Sequence, residues 1–214
     1  MSLADRLEAC HSSVVHDVMK DMGLRIRVLP RNILGLEPWM KVAGPVFTVR
    51  GRPDPSLDKH TSLFEWAGLL SKSPAGHVVM CQPQDDIRAL FGGLSAEALK
   101  IKGVRGYIVD GGCRDIQAII DQRFPTFARF ATPIDIVGAW RAEAFGESIV
   151  MGGHLVLPDD LVLADRDGTI LIEGTAAEEV IAAAEAKMAT EGEMVKAIRA
   201  GVDPQEAYMK YRVF

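Results

Sequence analysis

The stretch richest in chemical potential runs Tyr107-Ile108-Val109-Asp110-Gly111-Gly112-Cys113-Arg114-Asp115-Ile116-Gln117, an apolar run, two glycines, and an Arg-Asp pair opening a helix-like pattern. A buried strand ending in a glycine turn delivers polar groups to the carboxyl edge of a sheet, where α/β proteins bind ligands. Arg114 carries a planar fork of donors that grips a carboxylate through two parallel hydrogen bonds. Asp115 offers oxygen to a hard cation, and amides at a helix N-terminus favour anions. Together these residues suit an anionic substrate held on Mg²⁺. They also have plainer roles: Asp115 as a carboxylate favoured by the helix dipole, Arg114 as a surface charge, and Asp110 as a side chain bonding its own turn.

A second candidate is Phe91-Gly92-Gly93-Leu94-Ser95. Paired glycines before a helix let the backbone approach a ligand and present the amides of Leu94 and Ser95, forming the opposite wall of the same pocket. The segment is not a GxxxxGK[ST] phosphate loop, and double glycines are also ordinary loop punctuation.

The remaining reactive side chains read as structural. Cys113 has no neighbouring His or resolving Cys and reads as a small filler. His11, His16, His60, His77 and His154 form neither HxH nor HExxH, so a zinc site is not indicated. Lys100 and Lys102 read as solvated helix-end charges, and Asp159, Asp160, Asp165 and Asp167 as turn residues without calcium-loop spacing. No GxGxxG or GxSxG occurs, which speaks against a Rossmann cofactor and a serine hydrolase.

These candidates need elements to hold them. Apolar spacing from Leu3 to Met22 predicts one opening helix, stopped by Gly23. VAGPVFTVRG from Val42 predicts a strand with a PDPS exit turn, 62–70 a helix, and 77–81 a buried strand. A helix follows from Phe91 to Ile101, then the strand at 104–110 and the turn into a second helix. After Phe124-Pro125 come short strands in TFARFA, VGAW, ESIVMGG and HLVLPDDLVLADRDGTILIE, with turns at 158–160 and 165–168. Thr175 to Ala200 predicts a long helix or two. The alternation implies a mixed α/β domain over 1–174, with 175–214 as its helical C-terminal extension.

Composition agrees with that architecture: 214 residues, 48% hydrophobic and 25% charged, with a net charge of −5. That charge, with no Lys/Arg block longer than a pair, argues against a nucleic-acid partner. Three cysteines without a CxxC pair suggest a reducing, cytoplasmic setting. The opening residues lack the pattern of a signal peptide, and no window reaches the ~18 apolar residues of a membrane span.

Beyond these readings, the chain resembles the RraA-like proteins, the family of the regulator of ribonuclease E activity A and of 4-hydroxy-4-methyl-2-oxoglutarate aldolases. The resemblance rests on VAGPVFTVR at 42–50, the Gly-Gly-Leu-Ser of 92–95, AEALKIKGVRGYIVDGGCRDIQAI at 96–119, FPTFAR at 124–129 followed by Thr132-Pro133, and LPDDLVLADRDGTILI at 157–172. It implies a β/β/α, swivelling-type fold assembled into ring-like trimers or hexamers with sites between subunits. By resemblance, Arg114 binds the carboxylate of a pyruvate-like 2-oxo acid, Asp115 ligates Mg²⁺ or Mn²⁺, and Gly92, Gly93, Leu94 and Ser95 hold the substrate. Glu191 matches an acidic residue that a neighbouring subunit's C-terminal helix contributes, with Glu193 the alternative. The implied activity is a metal-dependent lyase, a pyruvate aldolase or oxaloacetate decarboxylase; the other branch of the family implies a non-catalytic ribonuclease regulator. By the resemblance, the aldolase branch carries Asp or Glu with twenty residues between it and its Arg-Asp pair, and that position here is Gly93; Glu97, one helical turn later, is the candidate replacement.

Overall fold

Ser12 sets how the chain begins, because its amide and hydroxyl both donate to Asp165, at 2.8 and 2.6 Å. The predicted single opening helix is therefore two, α1 (Leu3–Ala9) and α2 (Ser12–Asp21), with Cys10 and His11 extended between them. A computed structural model describes all of residues 1–214. After α2 come β1 (Arg27–Val28), β2 (Leu34–Gly35), β3 (Val42–Pro53), α3 (Lys59–Lys72) and β4 (Val78–Gln82). The middle of the chain forms α4 (Gly93–Ile101), β5 (Gly106–Val109), β6 (Gly112–Cys113), α5 (Ile116–Asp121), β7 (Thr126–Ala128) and β8 (Phe130–Ala131). Next are β9 (Trp140–Phe145), β10 (Ile149–Met151), β11 (His154–Val156), β12 (Leu161–Ala164) and β13 (Thr169–Ile172), then α6 (Ala177–Arg199) and α7 (Pro204–Tyr211).

One mixed sheet runs β1-β13-β12-β3-β4-β5-β7-β2, with β9 pairing the far half of β3. Strands β3, β4, β5 and β7 are parallel, whereas β1, β2, β9, β12 and β13 join antiparallel. The parallel strands are buried on both faces, which is why β4 and β5 read as unbroken apolar runs without alternation. Successive residues of β12 point to opposite faces and so enter different cores. Leu161 and Leu163 pack with Leu7, Val15, Val180 and Ile181 of the helices α1, α2 and α6. Val162 and Ala164 join a larger core with Leu69 of α3, Leu99 of α4 and Ile119 of α5.

Two further differences from the sequence reading have local causes. The VGAW strand begins only at Trp140, because Gly138 adopts φ +69, and it continues to Phe145 against β3. The C-terminal region holds a second helix, α7, started by Asp203 capping the amides of Gln205 and Glu206 with Pro204 in the first turn. No helix is long and apolar enough to cross a membrane.

Candidate functional site

The two glycine-bearing segments lie side by side. Leu90 N donates to Gly112 O at 2.8 Å and Arg114 N to Phe91 O at 2.9 Å, so backbone bonds stitch the entry of α4 to the turn beyond β5. A Cβ on Gly92 would meet Asp115 Oδ2 at 2.7 Å and Arg114 Cγ at 3.2 Å, so a side chain there would have to displace the Asp115 carboxylate. Gly92, Leu94, Ser95, Arg114 and Asp115 line a common cavity of about 260 Å³, whereas Gly93 lies outside its lining. Arg114 and Asp115 also border a second concavity, of about 370 Å³, with Cys113, Ala131, Thr132 and Pro133.

Asp115 does not serve as an ordinary helix cap. It sits at the N-cap of α5 in the left-handed region, φ +55 and ψ +37, yet makes no capping bond. Its Oδ2 instead accepts the Gly93 amide at 3.1 Å, reaching across to the first turn of α4, while Oδ1 accepts nothing. A left-handed aspartate costs backbone energy that surrounding structure must hold in place, and such positions cluster at functional sites. Arg114 is 40% exposed and donates no side-chain hydrogen bond; its Nε lies 3.7 Å from Asp115 Oδ2 and its Nη1 3.7 Å from Asp135 Oδ2. An arginine fork left unbonded at a cavity mouth is available to a carboxylate ligand.

Ser95 is nearly buried, and its Oγ accepts the indole N–H of Trp66 at 3.0 Å, which leaves the hydroxyl proton to donate elsewhere. Trp66 rests edge-on against Trp140, whose own indole donates to Pro83 O at 2.8 Å. The amides of Leu94 and Ser95 lie in the first turn of α4, where no preceding turn supplies acceptors.

Other sequence candidates lie elsewhere. Burial pushes the Cys113 thiol up to about 12, so it stays protonated and inert, in keeping with a filler. Asp110 is engaged by Arg129 at 3.2 Å. Glu97 lines neither concavity. Glu191 lies on α6, which packs on α1 and α2 across the sheet, so within one chain it does not join the cavity; Glu193 is ion-paired to Lys196 at 2.6 Å. Sequence reasoning missed Trp66 and Asp135. The signal for Trp66 was the stripe Leu63, Trp66, Ala67 and Leu70 at helical spacing, which reads equally as core; Asp135 stood in no motif.

Comparison with known families matches residues 12–171 to the RraA-like family, described as Aldolase/RraA. The chain belongs to the RraA-like family. A relative from Halalkalibacterium halodurans, provisionally named a 4-hydroxy-4-methyl-2-oxoglutarate aldolase, is 30% identical over 173 residues, covering 79% of this chain and 78% of the relative. Among solved structures, a Streptomyces coelicolor protein described as an unusual member of the RNase ES inhibitor RraA family superposes with a TM-score of 0.76 at 26% identity, covering 89% of this chain and 93% of that one. An uncharacterized Pseudomonas syringae protein shares the fold at a TM-score of 0.84 and 23% identity, over 96% of both chains. Members of this RraA-like family thus carry names from both an enzyme branch and a regulator branch.

The donor set admits only one kind of metal site. Within one chain no group of three or more His, Cys, Asp or Glu side chains comes together. Mg²⁺ keeps several waters and is commonly held by one or two carboxylates plus substrate oxygens. Asp115, half exposed with Oδ1 unengaged, fits that arrangement.

Proposed function

We propose that this RraA-like protein is a divalent-metal-dependent lyase that cleaves a 4-hydroxy-2-oxo acid to pyruvate, with decarboxylation of oxaloacetate as the related reaction. The observation that carries the reading is the unbonded Arg114 fork beside Asp115 at the mouth of one cavity. Arg114 binds the substrate carboxylate, and the Leu94 and Ser95 amides with the Ser95 hydroxyl orient its oxygens. Asp115 would hold Mg²⁺ or Mn²⁺, and such an ion would supply Lewis-acid stabilisation of developing negative charge. The 4-hydroxyl proton passes to a carboxylate of the cavity wall. Because residue 93 is glycine, that carboxylate is Asp135, which flanks Arg114 opposite Asp115. As the C3–C4 bond breaks, its electron pair becomes the C2–C3 double bond of the enolate while the 4-oxygen becomes the carbonyl of the second product, and the proton taken by Asp135 is returned to C3 to give pyruvate.

The test is pyruvate release from 4-hydroxy-2-oxo acids and oxaloacetate with Mg²⁺ or Mn²⁺, against EDTA and a metal-only background. Turnover that EDTA abolishes and Asp115→Ala removes supports the lyase; its absence in an intact oligomer overturns it. A trimer or hexamer that brings Glu191 to a neighbour's cavity is part of the same proposal, tested by the solution mass and by Glu191→Gln.

Glycine at 93 favours one alternative, a surface-acting regulator of a ribonuclease, since the acid of the aldolase branch is missing. Metal-independent binding to a ribonuclease, unaffected by Arg114→Ala, would establish it.

A further inference from the structure

The bond between Trp66 and Ser95 has a direction that chemistry dictates. An indole N–H only donates, so at 3.0 Å Ser95 Oγ must accept. A hydroxyl keeps one proton beyond that bond, and the Ser95 proton goes to no acceptor in the chain. Ser73, at the end of α3, shows the usual alternative, returning its hydroxyl to the carbonyl four residues earlier, Leu69 O, at 3.0 Å. For Ser95 the corresponding carbonyl is that of Phe91, which already takes the Arg114 amide at 2.9 Å.

The indole is itself held. Trp66 packs edge-on against the buried Trp140, with ring centroids 6.0 Å apart, and Trp140 is fixed by its own bond to Pro83 O. Ser95 is 8% exposed and borders the cavity, as Trp66 does. Both partners belong to one chain, so their bond needs nothing from a neighbouring subunit, which remains free to complete the rim.

We infer that Trp66 is a positioning residue: by filling one lone pair of Ser95 Oγ it holds the hydroxyl as a donor to an oxygen of the bound 2-oxo acid. The inference rests on the lyase reading for the identity of that anion. It concerns only the 2-oxo carboxylate end, which 4-hydroxy-2-oxo acids, oxaloacetate and pyruvate share. A donor oriented before the ligand arrives stabilises negative charge without reorganising. The N–H···O bond also polarises the O–H and strengthens it as a donor. Without the indole the hydroxyl samples its other staggered positions and turns to backbone acceptors, as Ser73 does.

The experiment measures pyruvate binding to the assembled protein in Mg²⁺, by calorimetry, for the native chain, Trp66→Phe, Ser95→Ala and the double variant. Ser95→Ala is expected to weaken binding about tenfold or more, as for a hydrogen bond to a charged group. Trp66→Phe keeps a ring against Trp140 and is expected to weaken it about three- to tenfold. In the Ser95→Ala background Trp66→Phe is expected to add nothing, because its effect runs through the hydroxyl, whereas a packing role multiplies the two losses. The Trp66 indole N–H resonance gives a second readout in the native chain and in Ser95→Ala, which serves even where Trp66→Phe fails to fold. It is expected to shift in Ser95→Ala, and to shift in the native protein when pyruvate is added. Undiminished pyruvate binding in Trp66→Phe, multiplied losses in the double variant, an indole resonance indifferent to Ser95→Ala or to pyruvate, or no pyruvate binding at all overturns the positioning role. Loss of the lyase reading shows separately, as absent metal-dependent pyruvate release from 4-hydroxy-2-oxo acids and oxaloacetate while pyruvate still binds with the same dependence on Trp66.

Discussion

The amide of Gly93 donates a 3.1 Å hydrogen bond to Oδ2 of Asp115. Residue 93, where the resemblance expects an acid, is thereby in direct contact with the carboxylate proposed to hold the metal. A Cβ there would lie 3.8 Å from Asp115 Oδ2 and 3.4 Å from Asp115 Cβ, with Ala118 Cβ the tightest neighbour at 3.0 Å. Gly93 begins α4 without a positive φ, so the backbone accepts a side chain once Ala118 yields. Gly93→Glu combined with Ala118→Gly is expected to raise pyruvate release by about 10²-fold, the lower range for a positioned acid or base. An unchanged rate in the folded variant would mean that Asp135 already performs the transfer fully.

Arg114 and Asp135 share an ion pair but not a role, and steady-state kinetics separate them. Arg114→Ala removes charge-assisted hydrogen bonds to the substrate, worth about 1.5–3 kcal/mol, so KM is expected to rise by about 10- to 100-fold. Asp135→Asn keeps the shape and is expected to lower kcat by about 10² or more with KM little changed. A pure KM effect in Asp135→Asn would reduce that residue to positioning Arg114.

The strands were legible where burial on both faces produced unbroken apolar runs, as in β4 and β5, and the Arg114–Asp115 turn was legible because a strand, two glycines and a helix follow each other closely. What escaped depended on contacts far apart in sequence. The break at Cys10–His11 comes from Asp165, more than 150 residues away, and nothing in the helical spacing of Leu3 to Met22 signals it. The apolar stripe of α3 has the same pattern whether it faces a core or a cavity, so Trp66 became a site residue only through its partner Ser95. Asp135 gains meaning only from Arg114, twenty-one positions earlier and opposite in charge.

The turn aspartate Asp160, read from sequence as turn chemistry, also closes a buried ion pair with Arg27, at 2.6 and 3.1 Å, while accepting the Leu157 amide at 2.9 Å. Both side chains are under 5% exposed. Removing one partner strands a buried charge, so Arg27→Met is expected to cost about 3–5 kcal/mol in urea denaturation. Arg27→Met with Asp160→Asn removes both charges and keeps an acceptor for Leu157, and is expected to be the more stable of the two variants. A double variant as unstable as the single one would place the cost in lost packing instead of the stranded charge.

Acid should loosen α1 from the rest of the fold. Hydrogen bonds from Ser2 and then Arg105 hold the Asp5 carboxyl down at about 2, below its ordinary 3.8, and the bond from Arg6 lowers Glu185. Asp5 meets Arg105 at 2.9 Å and Glu185 meets Arg6 at 2.9 Å, tying α1 to the segment before β5 and to α6. A carboxylate with a folded-state pKa below its unfolded one contributes stability fully above the unfolded value and loses it as pH falls through the folded value. The melting temperature is therefore expected to hold from pH 7 to about 5 and to decline between about 4 and 2. Because these pairs are partly exposed, added salt should shrink the decline. Glu185→Gln should lower the melting temperature at pH 7 and flatten its fall in acid, and a profile as steep as the native one would show that other carboxylates govern acid stability.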